Sequence, residues 1–299
     1  LVFLVISCPC ALVVSIPLGY FGGIGLASKN GILFKGSNYL DVMTKVDTVV
    51  MDKTGTLTKG VFKVQELVSQ QLEDMDLLKL AAALESKSTH PIAVAITEYA
   101  GTVNADLNGV KIEQVEEIGG HGLKGVINGQ NVLAGNGSLL RKFNIPYETN
   151  IDAEAETVVL VAVNEQYAGY LRIADELKAD AAQTIKVLQQ MNIATVMLSG
   201  DKQSVVDKVA KTLGMDKAYG ALLPEDKVEK VAALKADGQC LAFVGDGVND
   251  APVIALADAG IAMGGLGSDA TIETADVVIQ NDQPYKIVTA IKIGKLTRN

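Results

Sequence analysis

The sequence predicts an α/β fold, a parallel sheet layered with helices and interrupted by an inserted α+β segment. Three observations predict it. From Asp175 onward helix-like and strand-like runs alternate, the pattern of βαβ units. Three apolar, β-branched runs each end on an acidic, small-residue loop: VVMD at Asp52, VMLSGD at Ser199-Gly200-Asp201, and LAFVGDG at Gly245-Asp246-Gly247. Residues 61–170 break the alternation with two helical patterns followed by short strands and glycine turns, as an insertion would.

Residues 1–28 contain no charged residue and no histidine. About 20 apolar residues span a bilayer, so this run is expected to be a transmembrane segment. Lys29 and Lys35 follow it, which places the next domain in the cytoplasm by the positive-inside rule. A cleaved signal peptide would need a basic start and a shorter apolar core. Residues 30–46 read as a connector and helix leading into the strand that carries Asp52.

Within the insertion, helices are expected around Leu77 and Leu84 and around Ile92 and Tyr99. Strands follow over 126–135 and 157–175, and Asn128-Gly129 between apolar runs is a strong hairpin signal. Beyond it, helices over 179–191, 203–213 and 225–237 precede strands over 193–201, near Ala218 and over 240–247. The last residues carry three lysines and one arginine among apolar positions, which suits a surface helix or the cytoplasmic approach to another membrane helix. The expected domains are 1–28 in the membrane, 29–60 with 171–285 as a discontinuous α/β domain, 61–170 as its insertion, and 286–299 as the start of a further membrane helix.

The formal net charge of −9 argues against nucleic acid, which demands clustered Lys and Arg. Three cysteines, two of them inside the apolar run, make no disulfide framework.

A carboxylate at the C-terminal end of a strand in a parallel sheet lies on the edge where ligands bind. Residues 52–58, DKTGTLT, resemble the phosphorylation motif of P-type ATPases, which belong to the haloacid dehalogenase-like superfamily. SGD at 199–201 and GDGVNDAP at 245–252 follow in the order that family uses, with SGD in place of the commoner TGD. The resemblance implies that Asp52 forms an aspartyl-phosphate by attack on the γ-phosphate of ATP. Ser199 and the Gly200 N–H bind phosphate oxygens, Lys53, Asp201 and Lys227 complete the site, and Lys227 offsets developing charge. Mg²⁺ is expected on Asp52, the Thr54 carbonyl and Asp246, with Asn249 and Asp250 ordering the loop. Hydrolytic members of the superfamily carry a second Asp two residues after the nucleophile. Thr54 stands there in this chain and offers no general acid or base, so the phospho-intermediate should persist.

Both histidines, His90 and His121, fall in the insertion. Ser88-Thr89-His90-Pro91 precedes a helix, Glu85 lies five residues before His90, and the glycines at 119, 120, 122 and 125 let a backbone approach a flat ligand. This set resembles the nucleotide-binding domain of the heavy-metal-transporting, CPx-type branch. The resemblance places Glu85 and His90 near adenine, with Gly120, Gly122 and Asn136 lining an ATP cleft.

Cys8-Pro9-Cys10 lies within the apolar run. A proline opens a membrane helix there, and two soft thiolates select ions such as Zn²⁺ or Cu⁺. By the CPx resemblance Cys8 and Cys10 bind the transported metal. The continuation ALVVSIPLGYFGGIG is closer to the Zn²⁺/Cd²⁺/Pb²⁺ branch than to the Cu⁺ branch. The expectation is therefore an integral membrane protein, of a bacterial plasma membrane, exporting soft divalent metals. No TGE loop occurs, so the actuator domain and further membrane helices of an intact pump are expected as partners outside this chain. The rival readings are a Cu⁺ exporter, a soluble phosphatase of the same superfamily, and a nucleotide-binding module that never phosphorylates.

Overall fold

The computed structural model describes residues 10–153, 156–264 and 269–298. The chain divides into two units, residues 1–59 with 177–299, and residues 60–176.

The first unit is built on a seven-stranded sheet. In chain order its elements are α1 (Cys10–Lys29), β1 (Ile32–Phe34), α2 (Ser37–Lys45) and β2 (Thr48–Asp52), then, after the second unit, α6 (Ala181–Gln190), β9 (Ala194–Leu198), α7 (Gln203–Leu213) and β10 (Lys217–Tyr219). It closes with α8 (Pro224–Ala236), β11 (Leu241–Gly245), α9 (Ala251–Leu256), β12 (Ala259–Met263), α10 (Asp269–Thr274), β13 (Val277–Ile279) and α11 (Tyr285–Arg298). The strand order is β1-β13-β12-β11-β2-β9-β10, parallel except where β1 meets β13. From β2 the chain moves outward through β9 and β10, then crosses back to β11 and moves outward the other way. The topological switch point therefore lies between β2 and β11, where an open α/β sheet forms its binding crevice.

Alternation along β2 explains the two helix layers. Val49 and Met51 join one apolar core with Leu40 and Met43 of α2, Ile185 and Leu188 of α6, and Ile287 and Ile291 of α11. Val50 points the other way and packs with Phe243, Val231 of α8, and Val253 and Ile254 of α9. A strand buried on both faces cannot show a polar alternation, which is why TVVM reads as a continuous apolar run. Asp52 continues the parity of Val50, toward the α8 layer.

Among the described residues no helix is long and apolar enough to cross a membrane. The expected transmembrane run lies partly in residues 1–9, outside the described residues. Its remainder, α1, carries Gly19, Gly22, Gly23 and Gly25 and ends on Lys29, which dilutes its apolar character. Val14, Ile16, Leu18 and Phe21 on α1 are nonetheless exposed.

The second unit is a six-stranded sheet of order β3-β8-β7-β6-β5-β4. Its elements are β3 (Thr58–Ser69), α3 (Asp74–Glu85), α4 (Pro91–Thr102), β4 (Ile112–Ile118), β5 (Gly122–Ile127), β6 (Gln130–Gly135), α5 (Gly137–Lys142), β7 (Thr157–Val163) and β8 (Gln166–Leu177). The steps from β4 to β8 are antiparallel. Asn128 and Gly129 both take positive φ, 50° and 79°, as a two-residue hairpin turn requires. Asn164 and Glu165 do the same between β7 and β8. Helices α3 and α4 cover one face around Leu77, Leu84 and Ile96, and α5 covers the other around Leu139 and Leu140.

Candidate functional site

The parallel register brings three loops of the first unit together. Asp52 pairs with Leu198 of β9, and Met51 pairs with Val244 of β11. Ser199 and Gly245 therefore leave the sheet beside Asp52, on either side of it. The carboxylates of Asp52, Asp246 and Asp250 each offer an oxygen, and these atoms lie within 4.8 Å of one another. Lys227, in the first turn of α8, reaches in from the Val50 side. Its Nζ donates to Asp52 Oδ1 at 2.6 Å and to Asp250 Oδ1 at 2.9 Å.

The site is short of positive charge. Asp52 is 8 % exposed. Burial, then the neighbouring charge of Asp250, pushes its carboxyl up to about 7 against the pull of Lys227. Burial and then Asp250 also raise Asp246, against the pull of Lys178. Burial alone would lower Lys227, but Asp52 and Asp250 hold it above its usual value. Three carboxylates outnumber the cations beside them, Lys227 and, acting on Asp246, Lys178; with two of the three disfavoured as anions, the set suits a hard divalent cation with oxygen ligands. Mg²⁺ fits that donor set.

The loop Lys53–Leu57 that follows Asp52 is held at several points. The Thr58 hydroxyl and N–H both donate to the Lys53 carbonyl. Gly55 takes φ +72°, and a Cβ there would fall on the Asp246 carboxylate. Lys53 is buried and ion-paired with Asp201, which ties the loop after Asp52 to the Ser-Gly-Asp loop. Ser199 is buried and its Oγ accepts from the Asp201 N–H at 3.2 Å, while Gly200 is exposed. Thr54 and Asn249 are exposed. Asp250 does more than order its loop, because its carboxylate belongs to the cluster itself. Gly245 leaves room for it: a Cβ there would lie 2.6 Å from Asp250 Oδ2. Thr271 Oγ1 on α10 donates to the Gly247 carbonyl at 2.6 Å and steadies the loop from outside. Lys178, absent from the sequence reading, donates to the Gly55 carbonyl. It lies in the segment leading into α6, with no local motif to single it out.

The second unit holds a cavity of about 310 Å³ lined by Glu85, His90, Gly120, Gly122 and Asn136, the five residues expected there. It also takes in Glu117, His121 and the strand Thr157, Val158 and Val159, which sequence reasoning missed. His121 and Glu117 flank the glycine turn, which was the available signal. Glu85 ends α3 and is 6 % exposed. Burial, then the charge of Glu117, pushes its carboxyl up to about 7. His90 caps α4, its Nδ1 accepting from the Ile92 N–H at 3.3 Å, so the neutral ring carries its proton on Nε2. Asn136 caps α5 through Oδ1 and donates from Nδ2 to the Gly120 carbonyl at 2.9 Å, pinning the glycine turn. Gly122 and Gly135 face each other across β5 and β6. Cys8, and the side chain of Cys10, lie outside the described residues.

A family model described as haloacid dehalogenase-like hydrolase matches residues 46–258. A zinc-transporting ATPase of Synechocystis sp. is 54 % identical over 100 % of this chain and 41 % of its own length. A cadmium, zinc and cobalt-transporting ATPase of Bacillus subtilis is 52 % identical over 100 % of this chain and 42 % of its own. The chain thus spans about two fifths of the curated relatives it matches. Among solved structures, a zinc-transporting PIB-type ATPase in its E2·Pi state superposes with a TM-score of 0.88 at 35 % identity, over 97 % of this chain and 48 % of that one.

Proposed function

The chain belongs to the haloacid dehalogenase-like family and, within it, to the heavy-metal-transporting P-type ATPases, and we propose that it carries the ATP-consuming step of a pump exporting soft divalent cations such as Zn²⁺, Cd²⁺ and Pb²⁺. The observation that carries this reading is Asp52, a carboxylate at the switch point of a parallel sheet, bound to Lys227 and flanked by Asp246 and Asp250.

In this reading the second unit binds ATP in the cavity lined by Glu85, His90, Gly120, Gly122 and Asn136. The γ-phosphorus is attacked by an Asp52 oxygen; the new O–P bond forms as the bond to the ADP oxygen breaks. Lys227 holds Asp52 in place and offsets charge on the transferring group. The exposed Gly200 N–H and the Ser199 hydroxyl are the donors for its oxygens. Asp52 and Asp246, with the Thr54 carbonyl, would hold Mg²⁺, which neutralises phosphate charge when bound. Thr54 supplies no base to activate water, so the aspartyl-phosphate outlives its formation. A long-lived intermediate suits a cycle that must pass its energy to a conformational change.

The names of the relatives support zinc and cadmium as cargo, and the run containing Cys8 and Cys10 is the proposed transport segment of an integral membrane protein. The test is incubation with γ-labelled ATP and Mg²⁺ followed by an acid quench. Label on the parent and none on Asp52→Asn is expected. Label retained by Asp52→Asn would refute the mechanism. In the intact pump, labelling stimulated by Cu⁺ and not by Zn²⁺ or Cd²⁺ would overturn the choice of cargo.

A further inference from the structure

Lys178 is 6 % exposed, yet nothing in the chemistry above uses it. Its main-chain N–H donates to the Leu57 carbonyl at 2.9 Å, and its Nζ donates to the Gly55 carbonyl. One residue thus grips the acceptor loop at two successive odd positions. The same Nζ lies 2.8 Å from Asp282 Oδ1. A buried ammonium without a partner is costly, and Asp282 is the carboxylate bonded to it, with Asp246 also acting on its charge. Asp282 takes φ +50°, a left-handed conformation few side chains adopt, in the segment between β13 and α11. Two residues beyond Lys178, Asp180 Oδ2 accepts from the Tyr285 N–H at 2.8 Å, fixing the start of α11 to the same segment. On the other side of the loop, the Asp246 carboxylate packs where a Gly55 Cβ would be.

We propose that Lys178 is a positioning residue: with Asp282 as counter-ion, it holds the Gly55 peptide against Asp246 and so sets the height of the loop that follows Asp52. The inference rests on the phosphoryl-transfer reading for its consequence, and on geometry alone for the loop contact. In-line attack tolerates little displacement, since about 1 Å of misplacement costs on the order of 10²-fold. Loss of the Lys178 grip should therefore slow transfer without changing how the second unit holds ATP.

The test uses the whole chain with Lys178→Met, Lys178→Arg and Asp282→Asn. Lys178→Met is expected to slow acid-stable labelling by ~10- to 100-fold at saturating ATP, with half-saturating ATP unchanged. Lys178→Arg, which keeps a cation, should recover part of the rate, and Asp282→Asn should show a smaller loss. Amide hydrogen exchange gives a reading independent of activity. Residues 53–57 should exchange faster by ~10-fold in Lys178→Met and Asp282→Asn, while β2 and β11 stay as protected as in the parent. Parent-like rate and parent-like loop exchange would overturn the proposal. So would faster exchange spread evenly over the first unit, which marks a general folding defect. If the parent takes no label, the phosphoryl-transfer reading fails, and loop exchange still decides whether Lys178 positions the loop. If Lys178→Met does not fold, Asp282→Asn, altered at a more exposed residue, carries both measurements.

Discussion

Lys227 Nζ sits 2.6 Å from Asp52 Oδ1, and the same ammonium also holds Asp250. Two buried carboxylates thus share one cation, with Asp246 close by. Removing one partner of a buried ion pair typically costs about 3–5 kcal/mol, because the remaining charge is left uncompensated. Lys227→Met should therefore lower the thermal midpoint of the first unit in the absence of Mg²⁺. Added Mg²⁺ should raise that midpoint more in Lys227→Met than in the parent, by replacing the missing charge. Differential scanning calorimetry with and without Mg²⁺ checks this. Equal Mg²⁺-induced shifts in both proteins would show that Mg²⁺ does not replace the Lys227 charge, and no shift in either would show that the three carboxylates hold no cation.

Gly55 at φ +72° stands where any side chain would collide with Asp246. Gly55→Ala carries two penalties, the left-handed backbone and the clash, and the clash is the one with a functional reading. The variant should stay folded but displace the Asp246 carboxylate, weakening Mg²⁺ dependence of labelling by ~10-fold or more. Titrating Mg²⁺ against labelling rate at fixed ATP measures it. An unchanged half-saturating Mg²⁺ concentration would remove Asp246 from the cation site.

The first unit was legible because its chemistry is local. Asp52, the Ser199 loop and the Asp246 loop each follow a buried strand, and a parallel sheet must bring such ends to one edge. Their partners across the fold were harder to read. Lys227 was visible only through its place at a helix start, and Lys178 not at all, because a lysine meets a carbonyl 123 residues away through topology rather than spacing. The same holds for Asp250, expected to order a loop but placed in the carboxylate cluster by the short turn after β11. In the second unit the glycines pointed to a turn that a ligand can approach, since tight turns have strict residue requirements, while Asn136 was placed there by the family resemblance. The wall from Thr157 to Val159 did not, because a strand's contribution to a cavity depends on which sheet neighbour it meets.

Gly122 and Gly135 are paired across β5 and β6, and neither tolerates a side chain. A Cβ on Gly122, at φ +141°, would strike the Ala134 carbonyl; one on Gly135 would strike the His121 carbonyl. Gly120, by contrast, has open space at its Cβ position. Gly122→Ala should cost more than about 2 kcal/mol and weaken ATP binding, because the strands that wall the cavity must separate. Gly120→Ala, with φ +72° as its only penalty, should cost about 1 kcal/mol. Urea denaturation paired with calorimetric ATP titration separates them. Equal losses at both positions would mean that the close approach of β5 and β6 does not shape the cavity.

Glu85 gives the second unit a pH dependence with a definite sign. Its carboxyl is raised from 4.5 to about 7, first by burial and then by Glu117. Folded protein therefore binds a proton at Glu85 that unfolded protein has lost between those two values, so stability falls as pH rises through that window. A change from 4.5 to about 7 corresponds to at most about 3 kcal/mol. Below the window Glu85 is protonated in both states and costs nothing. Glu85→Gln resembles the protonated acid, so its stability should match the parent near pH ~4 and exceed it near pH ~8. The variant should also lose ATP affinity at the higher pH, where the parent offers an anionic acceptor to the exocyclic amine of adenine and glutamine offers a weaker one. Urea midpoints and ATP affinities of both proteins across this range are the measurement. A parent and variant with parallel pH profiles would show that Glu85 is ionised at its ordinary value. A variant more stable at high pH with undiminished ATP affinity would leave the charge effect in place and remove Glu85 from the adenine contact.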